Sequence, residues 1–433
     1  MRYFCFVKIL FVANRMPYPP YRGDKLKIYN LARELSVNHE LHLITIAENQ
    51  EDLDSVSALQ KPLFDADDSE SATSNSGTIK SNSGSATSNP QDVTQLFDSI
   101  QYVYRPKWRS ILSSAIGLFS TRPIQVSYFK SKAFAIKLKH LLDNHHFDAI
   151  HVQHLRMAQY FEDGAPSNAI LDLPDAFSLY WKRRELAAKN AFDRAFRSLE
   201  YKRLANYEKL MLPKFSKSLV CSAEDRDYLK NAGITNVDVL PNGVNLKSFS
   251  PQGGAAIIKN RILFTGNMDY APNVDAVQYF VNDIFPLILE QHPESRFVIA
   301  GQRPVKAVLD LASDRIEVTG FIENLASEYA KANVVVSPLR IGAGTQNKVL
   351  EALAMNQAVV CSKVGFLGLG LKSGEGILMG ETAQEFANDV VSILTSEELG
   401  KRLGETGGQH VRSTFAWSGI SQQLLLYFEK IKS

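Results

Sequence analysis

Short apolar runs alternate along this chain with longer stretches in which apolar residues recur at helical spacing. That pattern predicts parallel strands with helices crossing between them. In the second half the runs are RILFTG (261–266), RFVIAG (296–301), RIEVTGF (315–321), NVVVSP (333–338), AVVCSK (358–363) and GILMG (376–380), separated by helical patterns such as 273–291 and 347–355. Six strands with helical crossovers complete a doubly wound sheet. The first half repeats the layout with KILFVAN (8–14), ELHLIT (40–45), SIQYVYR (99–105), DAIHVQH (148–154), AILDL (169–173) and SLVCS (218–222), and a long charge-laced helical stretch over 176–213 precedes the last of these.

A chain of 433 residues is too long for one core. The pattern divides it into an N-terminal domain over 1–240, a second over 241–412, and a closing helix over 413–433 that finishes the second domain or crosses back to the first. The Pro, Asn and Gly of LPNGVNLKSFSPQGG (240–254) mark the joint. Residues 66–92 repeat SATSN and SNSG and carry too little apolar surface to offset chain entropy, which predicts a disordered insert. The opening MRYFCFVKILFVAN is interrupted by Lys8 and lacks a small-residue cleavage site, so it reads as a buried first strand, 7–14, rather than a leader or a span.

Composition changes this picture little. Apolar content of 45%, charged content of 22% and a net charge of +2 describe an ordinary soluble protein. The three cysteines lie far apart without a CxxC, which points to a reducing compartment and no structural zinc. No DxD stands at a strand end, so no metal is expected. One local imbalance matters: 99–142 holds eight Lys/Arg and no acid, interleaved with Trp108, Ile111, Leu112, Ile116, Leu118 and Phe119. This suits either an interfacial segment on an anionic membrane, through 105–139, or a core helix with solvated cations. No stacking platform or recognised module accompanies the charge, so no nucleic-acid partner is expected.

The chemistry concentrates in SPLRIGAGTQNKVLEALAM (337–355), where a strand hands over to a helix. Gly342 and Gly344 permit close backbone approach, and the helix opens near Thr345, Gln346, Asn347 and Lys348 with unpaired amides and the positive end of its dipole, a seat for phosphate. Arg340 and Lys348 flank the loop as a diphosphate clamp. Glu351, three residues on, shares the face of Lys348 and suits the hydroxyls of a ribose. The alternative is a capped helix with a Lys–Glu surface pair. In the first half, Gly23 and Asp24 open a second helix at Lys25, again an anion-friendly start or a plain capped turn. His151 and His154 stand at the end of a predicted strand. Alternation places them on opposite faces unless the strand has already ended, and His154 is the favoured one of the two.

With those residues in view, the second half, roughly 236–415, resembles the retaining glycosyltransferases of family 4, through LPNGVNLKSFSP, ILFTGNMDYAPNVDAV, FVIAGQRP, VTGFIENLASEYAKANVVVSPLRIGAGTQNKVLEALAM and VVCSKVGFLGL. The first half resembles the same family through ILFVANRMPYPPYRGDKLKIYNLARELSVNHELHLIT. The nearest look is to sugar transferases of bacterial exopolysaccharide and PEP-CTERM export systems. The resemblance implies an α/β protein of GT-B fold, two Rossmann-like domains facing across a cleft. It implies a nucleotide-diphosphate sugar as donor, no cofactor, a glycan or lipid-linked acceptor, and a cytoplasmic location, at the inner membrane face if the acceptor is lipid-linked. On matching positions it implies donor contacts from Gly266, Asn267, Gly301 and Asn242 besides the 342–351 loop. The Gly23–Lys25 loop would lie near phosphates and acceptor, and a strand-end histidine would serve catalysis.

The sequence also departs from the family. Of the family's two glutamates, Glu351 matches the ribose-binding second, and Ala343 stands where the sugar-contacting first belongs. The usual Arg and Lys on the diphosphate are Asn267 and Pro272, leaving Arg340 and Lys348 to replace them. The His-x-His of the family is His-x-x-His here. These losses keep a non-catalytic subunit of the same fold in play. A nucleotide-sugar epimerase would want more acid–base groups, and no GxGxxG follows a strand as a dehydrogenase would need.

Overall fold

The computed structural model describes residues 6–20, 23–61, 95–186, 188, 190–251, 257–342 and 345–432. The insert expected at 66–92, and Ala343 and Gly344, lie outside the described residues. Among those described, the strands form two sheets, parallel throughout. The first contains β1 (Lys8–Val12), β2 (Glu40–Ala47), β3 (Ser99–Tyr104), β4 (Ala149–Gln153), β5 (Ala169–Asp172), β6 (Lys217–Val220) and β7 (Val237–Val239), in the order β3-β2-β1-β4-β5-β6-β7. The second contains β8 (Arg261–Thr265), β9 (Arg296–Ala300), β10 (Ile316–Gly320), β11 (Val334–Ser337), β12 (Val359–Cys361) and β13 (Leu378–Met379), in the order β10-β9-β8-β11-β12-β13. The central strands are buried on both faces under crossover helices, which is why they read as unbroken apolar runs rather than alternating ones.

Three local features differ from the sequence pattern. The first sheet has seven strands, not six, because β7 is an edge strand of three residues, VDV, too short to give a periodic signal. The helical stretch over 176–213 is two helices, Phe177–Leu186 and Ala191–Met211, the second capped by Asn190, whose side chain accepts from the Asp193 amide. The 273–291 pattern starts at Ala271 and widens into a π turn over Phe280–Ile284 just ahead of Pro286, which has no N–H to continue the regular ladder.

Each sheet reverses its winding once, at β1/β4 and at β8/β11, and both crevices open at the carboxyl ends of the strands. The closing helix, Trp417–Lys432, packs Ile420, Leu424 and Phe428 into the first domain's core with Ile28, Leu31 and Leu35 of the helix Gly23–Leu35. Trp417 also fixes the joint: a Cβ on Gly243 would lie 2.6 Å from its ring, and the Val244 amide donates to the Phe415 carbonyl at 2.8 Å. Among the described residues no helix is long and apolar enough to cross a membrane.

Candidate active site

The crevice of the second sheet is built by close backbone approach. Gly266 and Gly301, at the ends of β8 and β9, have φ of 158° and 150°, and a Cβ on Gly301 would lie 1.7 Å from the Gly266 carbonyl oxygen. Beside them, Lys348 from the first turn of the helix Asn347–Ala354 reaches back over β8. Its Nζ donates to Asn273 Oδ1 at 2.7 Å and stands 3.9 Å from the centroid of the Phe264 ring. Asn273 is itself held by a 2.9 Å bond from its Nδ2 to the Asn267 carbonyl. Among the described residues no carboxylate lies within ion-pair distance of Lys348. Burial therefore pushes its pKa down to about 7, with Glu351 opposing the shift. Glu351 Oε2 accepts from the hydroxyl of Tyr329 at 3.0 Å, and that hydroxyl shares a 2.7 Å bond with Thr265 Oγ1. Burial raises the Glu351 carboxyl, while Tyr329 and Lys348 oppose it.

Two hydroxyls at this crevice, Ser337 Oγ and Thr345 Oγ1, are buried without a partner among the described residues. Orphaned polar atoms where a strand hands over to a helix start are what an oxyanion ligand would satisfy. The Lys–Glu surface pair is not what forms, since each of the two is committed to a different neutral partner. Arg340, expected to clamp the same anion as Lys348, is held elsewhere. It forms a two-point bond to Asp275 at 3.0 and 2.6 Å and lies 4.5 Å over the Tyr279 ring. Asn267 Oδ1 accepts from Gln302 at 2.9 Å, and Asn347 Oδ1 accepts from Asn242 at 3.3 Å across the joint.

The first domain forms the opposite wall. Asp24 ties the start of its helix to the floor: Arg15 donates to Oδ2 at 3.1 Å, the Lys25 amide to Oδ1 at 3.0 Å, and Gln153 to the Asp24 carbonyl at 2.5 Å. Lys25 faces Asp52 at 3.5 Å, and a Cβ on Gly23 would meet nothing within 4 Å. His154 follows β4 with φ of 80°, its ring 4.5 Å from Phe177 and its Nδ1 accepting from the Arg156 amide at 3.3 Å. Burial, reinforced by Arg156 and Arg15, drives its pKa well below the usual imidazole value, so it is neutral. His151 is not at the cleft. It lies inside β4 with no exposure, donates from Nε2 to Asp172 Oδ2 at 3.0 Å and packs 5.1 Å from Phe11. Its partner is on the next strand, so spacing along the chain gives no sign of it.

Residues absent from the sequence reading complete the cleft. Arg183, on the helix Phe177–Leu186, donates to the Gly342 carbonyl at 2.6 Å and pairs with Glu224 at 2.6 Å, so it carries the first domain onto the 339–346 loop. Tyr180 of the same helix hydrogen-bonds Tyr270 of the second domain. Asp175, between β5 and that helix, makes no hydrogen bond or ion pair among the described residues. Burial first, then the neighbouring Asp225, push its carboxyl up to about 7. The one visible signal was a second acid three residues past Asp172 at a strand end.

The raised pKa of Asp175 has a checkable consequence. Unfolded, it titrates near 3.8, so the contribution of its protonated form is present below that pH and lost as pH rises through about 7. Asp175→Asn is expected to gain thermal stability relative to wild type as pH is stepped from about 5 to about 8. Melting curves that stay parallel across that range would return Asp175 to ordinary solvent.

Residues 259–396 match the family model described as glycosyl transferases group 1. The chain is 25% identical to the MMP alpha-(1->4)-mannosyltransferase of Mycolicibacterium hassiacum, over 49% of this chain and 53% of that one. The chain spans roughly a third to a half of the length of the curated relatives it matches first, 36%, 44% and 53%. In structure it is similar to sucrose-phosphate synthase from Thermosynechococcus elongatus, with a TM-score of 0.65 at 18% identity and 98% of both chains covered. It is also similar to Anabaena Alr3699/HepE in complex with UDP-glucose, with a TM-score of 0.63 at 12% identity, covering 98% of this chain and all of that one. The fold is GT-B: two Rossmann-like α/β domains, each with a parallel sheet.

Proposed function

We propose that this protein is a retaining glycosyltransferase of family 4. It moves a sugar from a nucleotide-diphosphate sugar to a hydroxyl of a glycan or lipid-linked acceptor in bacterial polysaccharide biosynthesis. The observation that carries the reading is Lys348, an ammonium with no carboxylate in ion-pair distance among the described residues, at the β8/β11 switch point, with Glu351 one helical turn away and the Thr345 and Ser337 hydroxyls buried and unpartnered where β11 hands over to that helix. In this reading Lys348, Thr345 and the helix start hold the diphosphate, Glu351 takes the ribose hydroxyls, and the acceptor enters from the His154 and Asp24 side. Catalysis is then positioning plus stabilisation of the departing diphosphate, whose own oxygen takes the acceptor proton, so neither a carboxylate pair nor a metal is required. The similarity to HepE, whose crystal structure is a complex with UDP-glucose, supports a nucleotide-sugar donor. We further propose a cytoplasmic location with peripheral contact between 105–139 and the anionic inner face of the membrane.

Thermal shift across nucleoside diphosphates and their sugars, followed by transfer to glycan and lipid-linked acceptors, tests the reading. Stabilisation by at least one nucleoside diphosphate is expected, and none from any of them overturns it. The anomeric configuration of the product decides retention. A non-catalytic GT-B subunit is the second reading, favoured by one observation: Arg340, expected to clamp the diphosphate with Lys348, is bound to Asp275 instead. Nucleotide binding with no transfer or hydrolysis would select it.

A further inference from the structure

We propose that this protein lies on an anionic bilayer through one apolar ridge assembled from two distant segments, 107–119 and 192–199 with Leu186 beside it, which leads to the mouth of the cleft. The ridge rests on the membrane contact proposed above for 105–139 and adds its second half and its orientation.

The helix Lys107–Gly117 is inside out. Its small polar side faces the protein: Ser110 Oγ accepts from Arg105 Nε at 3.0 Å and Ser113 Oγ from Arg105 Nη2 at 2.6 Å. A Cβ on Gly117 would lie 2.6 Å from Ser127, so the backbone itself sits against the neighbouring helix. The opposite side offers Trp108, Ile111, Leu112 and Ile116 to solvent, and Phe119 follows at 95% exposure. A surface helix of a globular protein does the reverse, and a contiguous apolar face of this kind marks a contact. The core-helix alternative allowed by the sequence is therefore not the one that forms.

The second segment continues the face. Phe192, 86% exposed, and Leu199 stand on the helix Ala191–Met211, and Leu186 precedes it, also exposed. Arg203 Nη2 donates to the Leu118 carbonyl at 2.8 Å and Glu200 accepts from the Ile124 amide at 3.0 Å, so this helix abuts the end of the first segment. From Arg203 back to Phe192 it advances about 16 Å. There Arg197 donates to the Arg184 carbonyl at 2.5 Å, next to Arg183, which grips the Gly342 loop. The ridge thus runs from Phe119 to the edge of the donor crevice.

Charge selects the occupant. Of the eight cations over 99–142, Arg105 faces the protein, Arg122 pairs with Glu162 and Lys139 with Asp143, while Lys107 and Arg109 are exposed on the ridge helix itself and complement anionic headgroups. A second copy meeting it face to face would set these cations against each other.

The test is sedimentation of the full chain with vesicles of mixed phosphatidylcholine and phosphatidylglycerol, against phosphatidylcholine alone. Wild type is expected to bind the mixed vesicles, less at high salt. The double variants Ile111→Ser/Ile116→Ser and Phe192→Ser/Leu199→Ser should each lower binding at least about tenfold. All four side chains are exposed, so the fold is retained, which circular dichroism confirms. If only the first pair matters, the ridge is overturned and the 105–139 contact stands. If wild type binds no vesicle, both fall. A concentration-dependent dimer abolished by both pairs, without vesicle binding, assigns the face to a second copy and also overturns the proposal. Nucleoside diphosphate binding without vesicles is expected to be unchanged in every variant, and its absence from wild type would sink the transferase reading alone.

Discussion

Lys348→Ala is expected to remove nearly all donor binding and to lower transfer by about a hundredfold or more, since a preorganised cation facing developing diphosphate charge contributes about 3 kcal/mol. Arg340→Ala, by contrast, should change donor affinity less than about threefold, because its guanidinium forms an exposed pair with Asp275. The contrast separates Lys348 from a general basic surface. The pH dependence makes a second check. With a pKa brought down to about 7 by burial, Lys348 is increasingly neutral above neutral pH. A bound diphosphate would raise it again, so binding above that pKa takes up a proton. Calorimetry of nucleoside diphosphate binding at about pH 8, in buffers of different ionisation enthalpy, should show that uptake, and at about pH 6, where Lys348 is already mostly charged, it should shrink towards zero. Equal heats corrected for buffer would mean that Lys348 is charged throughout or does not meet the phosphate.

How legible this molecule was in its sequence depended on the range of the interactions involved. Parallel strands buried on both faces announce themselves as apolar runs, and the runs at 261–266, 296–301 and 333–338 fall on β8, β9 and β11. The edge strand β7, half exposed and three residues long, has no such pattern. Within the crevice, Lys348 and Glu351 were readable because one helical turn fixes their relation. Arg340 was misplaced because its partner, Asp275, comes from a helix 65 residues earlier. Arg183 and Asp175 were not seen at all. Their place in the cleft depends on how the helix after β5 meets the other domain, which no local period encodes. For 107–119 the sequence left two readings open, an interfacial segment and a core helix. Periodicity shows that a helix has an apolar side, while only packing shows which side touches the protein.

The His151–Asp172 pair resembles catalytic machinery and is better explained as a structural pin, which Lys27→Met tests. Lys27 enters from the helix Gly23–Leu35. Its Nζ donates to Asp172 Oδ1 at 2.7 Å and to the Leu240 carbonyl at 2.8 Å, with Cys221 Sγ at 3.6 Å. All these side chains are buried, and burial pushes the Cys221 thiol up to about 12, so it stays neutral. Burial works to lower the Lys27 pKa, yet the Asp172 carboxylate leaves it above 10.5. Burial works to raise Asp172, yet Lys27 and His151 leave it below 3.8. The carboxylate's contribution is therefore lost only as pH falls through a value under 3.8, and the ammonium's only as pH rises through a value over 10.5. Between those limits Lys27→Met should cost a constant amount, about 3–5 kcal/mol, because it strands a buried carboxylate. Adding Asp172→Asn should recover part of that loss, a coupling that urea melts of both single variants and the double variant would measure. Equal losses in the Lys27 single and the double variant would mean that Asp172 is not charged in the fold. Recovery would show instead that the strand-end carboxylate of β5 holds the helix Gly23–Leu35, β4 and the chain leaving β7 together, which leaves Asp175, three residues further on, as the acid of this segment that faces the cleft.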